Sequence, residues 1–109
     1  MTGLGAVTPL GVDTASTWRA ALAGESGIDW IGAFDTEGLP VRVAAEVKGF
    51  DPTTVASPKE VRKLERNVLI GLAAAREALE DAGLNGFDPT RVGIVFEDTF
   101  LFNDTVRAN

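Results

Sequence analysis

The sequence predicts an α/β chain, and three observations predict it. Residues 57–83 repeat apolar side chains at steps of three and four, the period of a helix face. Short β-capable runs at 28–34, 41–47 and 91–96 are set off by Gly, Pro and Asp. The two kinds of segment alternate in the order strand, helix, two extended pieces, long helix, strand, which is how α/β domains are written.

Each element has a local reason. Residues 2–11 (Thr-Gly-Leu-Gly-Ala-Val-Thr-Pro-Leu-Gly) are β-capable and punctuated by Gly and Pro, as at the end of a strand running into a turn. A helix follows. Asp13 or Thr14 can cap it through a side-chain oxygen, Trp18, Ala21 and Leu22 recur on one face, and Gly24 stops it. The extended pieces 28–34 and 41–47 are joined by the turn-forming residues 35–40. Phe50-Asp51-Pro52 opens a loop or a short helical turn. Ser57 and Pro58 begin the long helix, with Glu60 at the capping-box spacing and Gly83 at its end. Val61, Leu64, Val68, Leu72, Ala75 and Leu79 share one face, which is expected to be the buried one; the segment reads as one helix or as two with a break near Leu64–Arg66. Residues 91–96 read as a buried strand, and the tail beyond has no clear period.

Composition removes whole classes of chemistry. The chain has 109 residues, one domain's worth, and 45 % of them are hydrophobic, enough for a core. Ten Lys and Arg stand against sixteen Asp and Glu, a net charge of −6, which argues against a surface made for nucleic acid or anionic membrane. There is no cysteine and no histidine, so Ser–His–Asp, Cys–His and zinc-hydrolase mechanisms are closed to this chain acting alone. No cofactor and no metal is expected. The opening residues lack a basic n-region and a long apolar stretch, so a cytoplasmic location is the expectation.

Four features invite a functional reading. Gly3-x-Gly5 resembles the start of a dinucleotide fingerprint, but Thr8 stands where the third glycine belongs, and a structural turn is the better reading. Glu77, Glu80 and Asp81 could be imagined as a metal or acid–base site, but Glu77 and Glu80 are better read as the solvated face of the helix, with Arg76 placed to pair with Glu80. Trp18 and Trp30 read as core or subunit-contact residues. Lys59, Arg62, Lys63 and Arg66 put four of the ten cations within eight positions on one helical arc. That arc is either a solvated face tempered by Glu60 and Glu65 or a local positive stripe that steers an acidic partner.

The motifs 2–11, 22–28 (Leu-Ala-Gly-Glu-Ser-Gly-Ile), Phe34-Asp35, 40–42, 47–52 (Val-Lys-Gly-Phe-Asp-Pro) and 73–84, in that order and spacing, resemble the start of the type II, chain-elongating β-ketoacyl-(acyl carrier protein) synthases. The resemblance runs over residues 1–95 and leaves 96–109 as a divergent tail. It implies a partial thiolase-like fold. It also implies an enzyme family that condenses an acyl group, held on a cysteine, with a malonyl-carrier protein, aided by two histidines and usually as a homodimer. Those catalytic residues belong to a region this chain does not reach, so the chain alone is expected to be inactive. The basic stretch matches the family's carrier-protein contact at Lys59, Arg62 and Lys63, which turns the balance toward docking of an acidic acyl carrier protein. A non-catalytic carrier-binding or synthase-docking module, or part of a chain-length-factor-like partner subunit, is the alternative.

Overall fold

The computed structural model describes residues 1–93. Helix α1 spans Thr14–Leu22, strands β1 and β2 span Ile28–Trp30 and Val43–Ala45, helix α2 spans Pro58–Lys63 and helix α3 spans Arg66–Asp81. Two single 3₁₀ turns, Pro52–Thr54 and Pro89–Arg91, complete the regular structure.

The ends of these elements are local chemistry. Asp13 caps α1: its Oδ1 accepts from the Ser16 N–H at 2.7 Å, and Ser16 Oγ returns a contact to the Asp13 N–H at 3.3 Å. The Ser16 hydrogen bonds hold the Asp13 carboxyl below the usual aspartate range. The two 3₁₀ turns share one sequence, Asp-Pro-Thr. In each, the aspartate accepts from the threonine N–H two residues on, at 2.9 Å for Asp51 and 3.0 Å for Asp88. Proline presets the turn and gives up an N–H that had no partner there. Helix α3 stops where Gly83 adopts φ +67°, a conformation that penalises any residue with a Cβ.

β1 and β2 pair antiparallel, Ile28 with Ala45, Asp29 with Ala44 and Trp30 with Val43. Beyond β1 the Glu46 carboxylate accepts the N–H groups of Gly32 and Ala33, at 2.8 and 3.1 Å. Lys48 bridges Asp29 at 3.2 Å with both side chains well exposed, a contact of little energetic weight.

Residues 57–83 form two helices, not one. Leu64 and Glu65 are extended, with ψ 143° and 153°, and separate α2 from α3. The Ser57–Glu60 capping box is present in full.

Four expectations are corrected. First, residues 2–11 form no strand; the described residues contain only a single bridge there, Thr8 with Gly11. A strand needs a neighbour, and this segment lies on α3 instead. The Leu4 N–H donates to Asp81 and the Ala6 N–H to Glu77, each at 3.0 Å. The spacing suits both partners: two residues of extended chain advance about 6.6 Å, and four residues of helix about 6.0 Å. Gly3 and Gly5 are the close-approach residues, facing Ala74, Ala78 and Ala82 along one side of α3. A Cβ on Gly5 would overlap the Ala74 carbonyl and stand 2.8 Å from the Ala78 nitrogen. Gly5→Ala is therefore expected to destabilise the protein by about 1–3 kcal/mol, read as a lowered urea midpoint; an unchanged midpoint would contradict the packing described.

Second, the buried face of α3 is not the one expected. Leu69 is the residue of α3 that is fully buried (3 % exposed), and Ile70, Ala73, Ala74, Glu77, Ala78 and Leu79 are partly covered. Val68 and Leu72 remain 43 % and 44 % exposed. Helix α3 has two apolar faces, and the small-residue face is the one that lets the Gly-rich segment approach. Third, of the two readings of Trp18 and Trp30, core and subunit contact, the first is corrected: they are 64 % and 71 % exposed. Fourth, the start of the expected strand 91–96 is not a strand: Arg91 closes the second 3₁₀ turn, and Val92 and Gly93 are irregular. Residues 94–96 of that expectation, and the tail 96–109, lie outside the described residues.

Candidate functional site

The sequence singled out four cations, and the structure divides them three to one. Lys59, Arg62 and Lys63 belong to α2, where steps of three and four put them on one side of a short helix. All three are exposed, and none makes an ion pair or side-chain hydrogen bond among the described residues. Arg62 and Lys63 occupy the last turn of α2, where the exposed carbonyl ends favour positive charge. Glu60, the acid among them, is already engaged: its Oε2 accepts from the Ser57 N–H at 3.0 Å and meets the Ser57 hydroxyl at 3.2 Å. It serves the helix start, and the three cations form a positive face on a chain of net charge −6.

Arg66 departs from this group. It lies beyond the Leu64–Glu65 break, on the first turn of α3. Its guanidinium donates to the Val47 carbonyl at 3.1 Å and stands 5.7 Å from the Phe50 ring centre. The break redirects it from the basic face to the preceding segment.

The carboxylates also divide. Arg76 and Glu80 pair at 3.2 Å across one helical turn, as their spacing predicts. Glu77 is not part of the solvated face. Half-buried, it accepts the Ala6 N–H through Oε2 at 3.0 Å and the Thr14 N–H through Oε1 at 2.9 Å. One carboxylate thus ties residues 1–6 and the first turn of α1 to α3. Its pattern in the sequence, one acid among several on a helix, carried no sign of that role. Among the described residues no group of three or more His, Cys, Asp or Glu is arranged to hold a metal. No helix among them is long and apolar enough to cross a membrane.

This arrangement can bind and orient an acidic surface, and it holds no nucleophile. Its position in a larger fold is decided by comparison. Residues 1–96 match the family model for the N-terminal domain of β-ketoacyl synthases. The chain belongs to the β-ketoacyl synthase family. It is 44 % identical over 96 residues to the 3-oxoacyl-[acyl-carrier-protein] synthase 2 of Coxiella burnetii and 43 % identical to that of Vibrio cholerae serotype O1. Each comparison covers 86 % of this chain and 23 % of the relative, so the chain spans about a quarter of the length of the synthases it matches. Among solved structures, the ishigamide ketosynthase/chain length factor is similar with a TM-score of 0.70 and 34 % identity, covering 78 % of this chain and 21 % of the other. The α/β architecture is therefore that of a ketosynthase. Large apolar side chains are left exposed on α1, β1 and α3, among them Trp18, Leu22, Ile28, Trp30, Val68 and Leu72.

Proposed function

We propose that this chain is the N-terminal, carrier-docking part of a condensing enzyme. That enzyme would elongate an acyl chain by decarboxylative Claisen condensation with a malonyl-carrier protein, in the cytoplasm and as a homodimer. The observation that carries the reading is the α2 face, where Lys59, Arg62 and Lys63 stand together, exposed and without acidic partners among the described residues. The relatives' names support the same reading, each being a 3-oxoacyl-[acyl-carrier-protein] synthase. The partner suited to such a face is an acidic protein, drawn in by long-range attraction and then held at short range.

The test is charge reversal in the complete protein that the gene encodes. Lys63→Glu is expected to weaken binding of purified acyl carrier protein about tenfold at low salt, and reversal of all three cations to slow association by at least tenfold. Both differences shrink as salt rises, because screening shortens the reach of the charges. Binding that ignores the triple reversal would remove the docking face from the reading. A partner subunit without catalysis is the second reading, favoured by the likeness to a ketosynthase/chain length factor assembly. The two part on whether the complete protein carries a nucleophilic cysteine.

A further inference from the structure

The docking helix is poorly anchored by its own length. α2 has six residues, far short of what holds a helix in water without outside support. Its link to α3 is the extended pair Leu64–Glu65, across which the helical hydrogen-bond ladder does not run: Leu64 donates back to Glu60 within α2, and Val68 and Leu69 donate to Glu65 at the start of α3. The direction of α2 is therefore set from its N-terminal side, by residues 47–57. That segment is held against α3 at two points. Arg66 takes the Val47 carbonyl and covers Phe50. Arg76 donates Nη1–H to the Thr54 carbonyl at 2.8 Å and Nε–H to Glu80 at 3.2 Å. It crosses an open cleft of about 560 Å³ whose lining includes Phe50, Asp51, Thr54 and Glu77. Thr54 lies three residues before the α2 cap, Ser57, so the Arg76 contact is the last side-chain tie from α3 before the docking helix begins.

We infer that Arg76 is a positioning residue for the docking helix, with Glu80 aiming its guanidinium and the Thr54 carbonyl as the point it holds; this rests on the carrier-docking reading of α2. The assignment depends on the shape of the side chain as well as its charge. A guanidinium presents Nε and Nη donors in one rigid plane and can serve the carboxylate and the carbonyl at once. An ammonium at the same position keeps the charge and loses the fork. With the tie broken, residues 54–64 are free to swing on the Leu64–Glu65 junction, and the three cations no longer meet the partner in one fixed arrangement.

The experiment uses the complete protein that the gene encodes and purified acyl carrier protein, with Arg76→Lys as the variant and Lys63→Glu as the reference. Association is governed by charge and dissociation by fit. Arg76→Lys is accordingly expected to leave the association rate within twofold, to raise the dissociation rate three- to tenfold, and to speed amide exchange at residues 59–64. The thermal midpoint should stay put, since Arg76 and Glu80 are both largely exposed. Wild-type dissociation and wild-type exchange in Arg76→Lys, with Lys63→Glu weakened, would overturn the positioning role and leave the docking face standing. An unchanged affinity in Lys63→Glu would overturn both.

Discussion

The purified 109-residue chain is expected to release no CO₂ from malonyl-carrier protein and to form no condensation product above a boiled control. Condensation by an acyl-enzyme route needs a nucleophile that attacks one thioester and becomes another, a task suited to a thiolate. It also needs donors aimed at the oxygen where charge gathers as the malonyl group loses CO₂. This chain has no cysteine to supply the first and no histidine for the second. Its serine and threonine hydroxyls are weak nucleophiles without an imidazole beside them. The relevant assay is CO₂ release and product formation in a preparation freed of host synthase. Turnover in that preparation would require a nucleophile other than a thiolate.

Glu77→Ala is expected to be the most damaging single substitution among the described residues that removes a polar side chain. One carboxylate there accepts two backbone N–H groups from two separate parts of the chain, Ala6 and Thr14. A hydrogen bond to a charged group is worth about 1.5–3 kcal/mol. With the site only half-buried, loss of both is expected to cost about 2–4 kcal/mol, seen as a lowered urea midpoint in the complete protein. Glu77→Gln should cost about half as much: its amide keeps one acceptor oxygen and turns an NH₂ toward the second N–H. Asp81→Asn should cost less still, because the Leu4 contact is exposed. A Glu77→Ala midpoint equal to wild type would show that these two bonds do not hold the N-terminal segment.

The legible and illegible parts of this chain divide by the range of the interaction. Ser57 and Gly83 announced two helix ends, and a third was narrowed to Asp13 or Thr14, because a cap is satisfied within a few residues of itself. The extended pieces near 28–34 and 41–47 met as a hairpin, the first shortened at its C-terminal end and the second at both ends. The basic face survived at Lys59, Arg62 and Lys63, which share one short helix, and lost Arg66, whose fate depended on a two-residue break and on Phe50 sixteen positions earlier. Gly3 and Gly5 looked like a turn and proved to be a packing surface, since the alanines they meet are 69 to 79 positions away.

By itself, then, the sequence determined the helix caps at Ser57 and Gly83, the middle elements from α1 to α3, the family, and the absence of any thiol or imidazole chemistry. Each of these is written in neighbouring residues or in the mere presence of a residue type. Only the tertiary structure decided which of the two apolar faces of α3 is covered, that Glu77 is an anchor and not a surface charge, and that Arg66 and Arg76 reach back to residues 47–54. The reason is geometric. Helical period marks a face as apolar or charged but does not say what meets it, and on α3 the choice fell to Ala74, Ala78 and Ala82, small enough to admit a glycine backbone into contact.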